Sequence, residues 1–387
     1  MKYAAQIEKI VPLITPVFIP ALIFAAALFG FYLYAPLTTA ANLTFHVLFY
    51  MTGFACFMIL LYFNRRKPVF FMLCAAVSYI LINIIKNKYG ADYFSEPAYQ
   101  NLCIFIPLNL ALFYFWPPQR LLTRTNVWLL LIIFCQYALG EQLSRTGISL
   151  NAGSGAAPLS GMALWLFGAV VLAMFIQTAL SGSILDYALF FSALSISFGF
   201  YYSDSPTALT LLFGAAMLSL LIAISQNLYF ETYRDPLTGL HSRNAYILHT
   251  RDFPLKYSIG IVTIDDFDKL RFRFGNHRQN QLTKLIAARI LEYEKPDCVY
   301  RYSADEFVIV FKSLDKNESF ERLETVRRAI ASAAFILNPR RPALKLTVSA
   351  AVSEKKRSDA NSFEVLVRAH KALDKTRSFS HNMTSKA

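Results

Sequence analysis

Eight long apolar stretches joined by short connections fill the first 230 residues of this 387-residue chain. A helix needs about 20 mainly apolar residues to cross the hydrocarbon core of a bilayer. That rule places helices near 10–34, 41–63, 68–85, 101–117, 127–140, 160–182, 185–202 and 207–230. The fifth, opening at Val127, is the shortest, so seven spans stand as the alternative to eight. Charge divides the chain at the same place. Up to Phe230 there are 10 Lys and Arg against 6 Asp and Glu, whereas from Glu231 onward there are 28 against 19. A membrane half over 1–230 and a charged globular half over 231–387 are therefore expected.

The loops set the orientation. Arg65-Arg66-Lys67 and Arg120/Arg124 fall in alternate connections, Lys2 and Lys9 sit at the N-terminus, and Lys86 and Lys88 are balanced by Asp92 and Glu96. Positive residues are retained inside, which puts the N-terminus and, after an even number of spans, the globular half on the cytoplasmic side. No small-residue cleavage site follows the first span, so no processing is expected. His46, Asn109, Gln136 and Gln177 lie within spans, either lining a cavity or, more commonly, hydrogen-bonding a neighbouring helix. No charged residue falls at mid-span, which leaves a proton relay, an ion pathway or a transport role without support. Cys56, Cys74, Cys103, Cys135 and Cys298 lack metal-ligand spacing and read as small buried hydrophobes.

Beyond Phe230 the hydrophobic period alternates. Tyr257–Ile264 reads as a strand, and Asn280–Tyr293 as a helix with Leu282, Leu285, Ile286, Ile290 and Leu291 on one side. Val299–Ser303 and Phe307–Phe311 form a hairpin around Ser303-Ala304-Asp305-Glu306. A helix over Phe320–Phe335, a strand over Leu344–Val352 and a closing helix over Phe363–Arg377 follow. The mixture implies an α/β layer, with helices on a mainly antiparallel sheet. Lys269-Leu270-Arg271-Phe272-Arg273 mixes basic and aromatic residues, but its place after a strand makes it a surface helix with one buried face rather than a nucleic-acid contact. Lys355-Lys356-Arg357 reads as a solvated loop or, on the cytoplasmic side, as a contact with anionic lipid.

These motifs occur in a particular order: Asp235-Pro-Leu-Thr-Gly-Leu240 with Arg243, Ile264-Asp265-Asp266-Phe267, Phe274-Gly275, the Arg301–Phe307 turn, Thr347-Val348-Ser349, and Ala369–Leu373. In that order, over roughly Glu231–Asn382, the chain resembles the GGDEF family of diguanylate cyclases. The resemblance implies a ferredoxin-like, nucleotide-cyclase palm. It also implies a bacterial cytoplasmic (inner) membrane location and an activity that joins two GTP molecules into cyclic di-GMP across a dimer. In such a reaction one 3′-hydroxyl attacks another α-phosphorus, and Mg²⁺ or Mn²⁺ ions held by carboxylates neutralise the phosphates.

The sequence departs from that pattern repeatedly. Ser303 and Ala304 stand where the family has two glycines, and neither takes positive φ easily. Counting back from Gly275, Thr263 falls at the family's first metal-binding aspartate and Asp265 at the second, so Asp305 and Asp265 are the remaining metal candidates. Arg271 replaces an asparagine and Asn280 an aspartate at the guanine-binding positions. Arg271 only donates and cannot reproduce an amide's two-way pairing. Arg377 keeps the charge of the family's phosphate-binding lysine, and His381 stands where an arginine is usual. The product-inhibition motif, Arg-x-x-Asp in the family, reads Glu294-Lys295-Pro296-Asp297, and no product site is expected there.

Asp305 and Glu306 are retained as vestigial catalytic positions, either as residual metal ligands or as residues suited to a solvated turn. Arg301 is either a phosphate contact or an ion-pair partner. The leading reading is a catalytically inactive or impaired regulatory module of cyclic di-GMP signalling, needing no metal. It would pair through this domain as a homodimer or heterodimer, or with a cytoplasmic protein partner. The alternative is an active diguanylate cyclase that binds GTP with Mg²⁺ or Mn²⁺.

Overall fold

The computed structural model describes residues 2–34, 38–62, 66–116, 123–151, 158–159, 161–336 and 343–387. Two compact units are present, Met1–Asn227 and Leu228–Ala387.

The first unit is helical: α1 (Lys2–Tyr34), α2 (Thr39–Tyr62), α3 (Arg66–Tyr89), α4 (Pro97–Phe115), α5 (Arg124–Arg145), α6 (Gly161–Ser181), α7 (Ile184–Tyr201) and α8 (Pro206–Tyr233). Each lies on one of the expected apolar stretches. Among the described residues seven of them are long and apolar enough to cross a membrane, which is compatible with a multi-pass membrane protein. The stretch opening at Val127 is among the seven, its apolar part extending over Asn126–Arg145, and α1 is apolar over Val17–Leu33 among the described residues. The orienting residues Arg65 and Arg120, and expected span ends at 63, 117 and 160, lie outside the described residues.

α4 packs against α3, α5 and α6, while large apolar side chains such as Trp128, Phe134, Trp165 and Leu180 face outward. Burying apolar surface is the dominant drive in water, so an outward apolar surface of this kind suits hydrocarbon surroundings. His46 bonds through Nδ1 to the Tyr79 hydroxyl, an interhelical contact; Gln177 is exposed, and Asn109 Oδ1 and Gln136 Oε1 are buried without a partner among the described residues. Cys56, Cys74 and Cys103 are buried as expected. Cys135 is exposed and Cys298 half-buried, because Cys135 lies on the outward side of α5 and Cys298 in the turn before a strand.

The second unit begins with β1 (His241–Ser242) and α9 (Arg243–His249). There follow β2 (Tyr257–Ile264), α10 (Phe267–Leu291), β3 (Val299–Arg301), β4 (Glu306–Lys312), α11 (Lys316–Ser332), β5 (Val348–Glu354), α12 (Ser362–Phe379) and β6 (Thr384–Lys386). The stretch β2-α10-β3-β4-α11-β5 is the β-α-β-β-α-β unit of ferredoxin-like folds. The six strands run β1-β3-β4-β2-β5-β6; the inner pairings are antiparallel and the two short edge pairings parallel.

All eight residues of β2 are buried, because a central strand covered on both faces has no solvent side. Alternation decides which face each residue meets. Val262, Ile264, Phe307, Ile309 and Phe311 join Leu282, Ile286, Leu323 and Val326 under α10 and α11. Ile259, Ile261, Val308 and Val310 join Tyr246, Val365, Leu366 and Ala369 under α9 and α12.

The helix ends follow local chemistry. Asp315 accepts from the backbone N–H groups of Asn317 and Glu318 at 2.8 and 2.9 Å, and Glu318 accepts from the Asp315 N–H at 3.0 Å, a capping box that starts α11. α10 is two helical pieces joined at Gly275, whose φ of 76° and ψ of 164° a side chain would resist.

Gly260 sits where β2 passes closest to its neighbours. A Cβ there would lie 2.9 Å from the Phe311 ring and 3.1 Å from Leu323. Gly260→Val is expected to destabilise the second unit by about 1–3 kcal/mol through overpacking. Pulse proteolysis of the full chain in urea measures this, and an unchanged midpoint would show that the two side chains retreat freely.

Candidate functional site

The β3–β4 turn is held by its own backbone and by one arginine. Tyr302 N–H and Ser303 N–H both donate to Glu306 O, at 2.9 and 3.3 Å. Among the described residues the non-glycine positions of positive φ are Asp266, Ser313 and Asn382, so Ser303 and Ala304 form the turn with ordinary backbone. Both are exposed, whereas Asp305 and Glu306 are half-buried rather than fully presented to solvent.

Arg301 lies beneath the turn. Its Nη1 donates to both oxygens of Asp235, at 2.9 and 2.8 Å, and its Nη2 donates to Ala304 O at 3.1 Å. The ion-pair reading of Arg301 is thus the one the geometry presents. Asp235 in turn accepts from the Thr238 N–H and hydroxyl, both at 2.7 Å, closing the Asp-Pro-Leu-Thr-Gly-Leu segment into an Asx-type turn. Burial alone would raise the Asp235 carboxyl, but the bonds from Thr238 and Arg301 outweigh it and hold the group below the usual carboxylate range.

The acidic positions do not converge on one point. Ser303 Oγ donates to Asp305 Oδ1 at 2.9 Å. Glu306 faces His370 of α12, with 3.8 Å between Oε1 and Nδ1; its burial, with Asp305 adding like charge, raises its carboxyl although His370 pulls the other way. Thr263 pairs across the sheet with Glu306, and its hydroxyl is buried without a partner among the described residues. Asp265 is only 4% exposed. Thr347 Oγ1 and Ser349 Oγ each donate to its carboxylate at 2.7 Å, the Asn382 N–H donates at 3.1 Å, and His381 Nδ1 lies 3.2 Å away. A site for divalent ions needs converging anionic oxygens. Here one position is a neutral threonine and one carboxylate is already enclosed by donors. Among the described residues no three His, Cys, Asp or Glu side chains group around a point, and the donor set does not fit a metal pair.

The nucleotide candidates are dispersed. Asn280 and Arg271 are exposed on α10, and Arg377 is half-buried on α12. At 294–297, a cavity of about 310 Å³ is lined by Glu294, Lys295, Asp297, Lys312 and Arg322. Glu294 is buried and already paired with Arg322 at 3.1 Å. His370, Asp235, Thr347 and Ser349 carry much of this geometry without having been given a role from sequence. Only Asp235, with threonine three residues on, left a local signal, the Asx turn.

A ferredoxin-like sheet of this order with an acidic turn between its β3 and β4 strands is a nucleotide-cyclase palm. Residues 232–383 match the family described as diguanylate cyclase, GGDEF domain, and this part of the chain is a GGDEF domain. No curated protein matches the chain. Among solved structures, the diguanylate cyclase SiaD from Pseudomonas aeruginosa, in complex with its activator SiaC, is 21% identical with a TM-score of 0.38 over 42% of this chain. The chain spans 65% of that protein's length. The GGDEF domain of DgcB from Caulobacter crescentus, in complex with c-di-GMP, is 21% identical with a TM-score of 0.36, over 40% of this chain and 92% of its own. The FimX GGDEF domain from Pseudomonas aeruginosa is 18% identical with a TM-score of 0.37, over 40% and 98%.

Two measurements test the electrostatics of this region. Arg301→Ala strands the mostly buried Asp235 carboxylate and is expected to cost about 2–4 kcal/mol; Asp235→Asn with Arg301→Ala should recover part of that, as a double-mutant cycle would show. Burial, with Arg234 and His249 adjacent, holds His241 down at about 4. Its neutral-form contribution is whole above the unfolded value of about 6.5 and shrinks as pH falls from there toward 4. A melting-temperature profile should therefore decline over that window, and His241→Asn should flatten the decline. A profile unchanged by the substitution would remove His241 as the cause.

Proposed function

We propose that this chain is a membrane-anchored protein of cyclic di-GMP signalling whose GGDEF domain has little or no cyclase activity and works as a regulatory or interaction module. The observation that carries this reading is the state of Asp265 and Thr263. The carboxylate is enclosed by Thr347, Ser349, Asn382 N–H and His381, and the neighbouring in-frame position offers an unpartnered hydroxyl instead of an anion. Phosphoryl transfer depends on positioning and on neutralising charge, and each 1.36 kcal/mol withheld from the transition state is tenfold in rate. The commitment of Arg301 to Asp235, and the Cβ atoms of Ser303 and Ala304 in the turn, support the same reading. Pairing with a second GGDEF domain, or with a cytoplasmic protein, is the output such a module retains. GTP bound without turnover would make the domain a nucleotide sensor.

The retained pair Asp305 and Glu306 favours the second reading, an active cyclase with an unorthodox site using Mg²⁺ or Mn²⁺. Full-length protein in detergent with GTP and either ion separates the two. The expected outcome is no cyclic di-GMP above the no-enzyme background, and no difference between wild type and Asp305→Ala or Glu306→Ala. Turnover that disappears in both variants would overturn the proposal. Calorimetric titration of GTP on the same sample tells a nucleotide sensor from a domain acting through protein contact alone.

A further inference from the structure

The first piece of α10, from Phe267 to Phe274, carries more apolar surface than the core takes up. Phe267, Leu270 and Phe274 recur at helical spacing and pack on the core shared with Leu282 and Ile286, which is the one buried face expected of this segment. Phe272 stands on the other face and is 90% exposed, with Arg271 and Arg273 exposed on either side. Over 266–278 there are four Lys and Arg against two Asp, and from Lys269 to Leu291 there is no acidic residue. Lys269 is bonded to Asp266 at 2.8 Å, and Arg273 lies over the Phe274 ring at 5.2 Å. Arg271 makes no hydrogen bond or ion pair among the described residues.

A single exposed apolar side chain is ordinary on a protein surface; the place of this one is not. α8, one of the helices apolar enough to cross a membrane, ends at Tyr233 inside the second unit. Two residues on, Asp235 is bonded to Arg301, which also holds Ala304 O. The next carbonyl, Asp305 O, accepts from the Ile264 N–H at 3.0 Å, one residue before Asp265. The chain therefore enters the domain at the end of the sheet from which α10 starts. α12 finishes there as well: His381 and Asn382 meet Asp265, and Phe379, two residues before His381, is 81% exposed.

We propose that this end of the domain docks on an anionic phospholipid surface, with Arg271 and Arg273 pairing lipid phosphates and Phe272 entering the headgroup boundary. Basic side chains are drawn to an anionic leaflet within about a Debye length, and an aromatic ring between them is suited to the interface. The membrane tether keeps the effective concentration high, so a patch this small suffices where a free domain would drift away. The inference rests on the membrane anchoring proposed above and not on whether the domain turns over GTP.

The test places a photocrosslinking residue in the full chain, in nanodiscs of phosphatidylcholine with phosphatidylglycerol, and reads lipid adducts by mass spectrometry after irradiation. Leu255 is the reference position: it is 92% exposed beside Lys256, close to Lys355, and lies past the other end of β2, about 25 Å from Asp265. Phe272→p-benzoylphenylalanine is expected to give phosphatidylglycerol adducts at least tenfold above Leu255→p-benzoylphenylalanine. Adding Arg271→Gln and Arg273→Gln should lower the yield at 272 at least tenfold, as should discs of phosphatidylcholine alone. Equal yields at the two positions would overturn the proposal, as would no lipid adduct at 272 or a yield indifferent to the arginines. An adduct to a second copy of the chain in place of lipid would assign the face to self-association, and loss of the lipid adduct on adding polyuridylate would assign it to nucleic acid; either overturns it. Retention of the chain in the discs is read separately. Loss of retention overturns the anchoring and this inference with it, whereas retention without the adduct overturns this inference alone.

Discussion

A buried carboxylate has to be satisfied where it stands, and Asp265 is the place where the GGDEF domain meets that demand. Its two oxygens receive hydroxyls from Thr347 and Ser349 beside β5, a backbone N–H from Asn382, and His381. Those donors come from the strand next to β2 and from the segment that leads into β6, so one charge joins the end of the central strand to the last strand of the sheet. Asn382 takes a left-handed conformation, φ 59°, at that point, and asparagine is among the few residues that tolerate it. Charge-assisted bonds of this kind are about twice as strong as neutral ones. Their number explains how a carboxylate stays buried without a lysine or arginine bonded to it. The same number removes it from the inventory of groups free to meet an ion.

A comparable exchange occurs one strand away. Arg301 sits below the acidic turn, and its fork is filled by Asp235 and the Ala304 carbonyl. That pairing fastens the segment after α8 to the β3–β4 hairpin, within the second unit. Rigidity around the turn is thus obtained from a half-buried ion pair and the backbone bonds beside it.

Much of the architecture was legible in the sequence. The apolar stretches coincide with the eight helices, and β2 was readable to the residue because an uncharged run rich in β-branched residues ends abruptly at Asp265. The expected strand from Leu344 pairs in the ladder only from Val348, since alternation persists upstream while the partner strand ends at Ile264; Leu344 is held instead by a lone bridge to Phe335. The helix expected from Phe320 begins at Lys316, where the Asp315–Glu318 box starts it. Two- and three-residue strands such as β1 and β6 have no period to detect. The acidic turn was visible as a motif. The partners of its neighbours were not, because His370 and Ser349 reach Glu306 and Asp265 only through the tertiary fold.

Ser303 and Ala304 make their turn with ordinary backbone, and that has a consequence for how such a site changes over generations. A glycine is free to wander in the unfolded chain, and replacing it where the native conformation permits stabilises a protein by about 0.4–1 kcal/mol. Once a turn no longer requires positive φ, each loss of glycine is rewarded and each return is penalised. Chain entropy therefore favours the serine and the alanine over glycine at these two positions, whatever chemistry the turn serves.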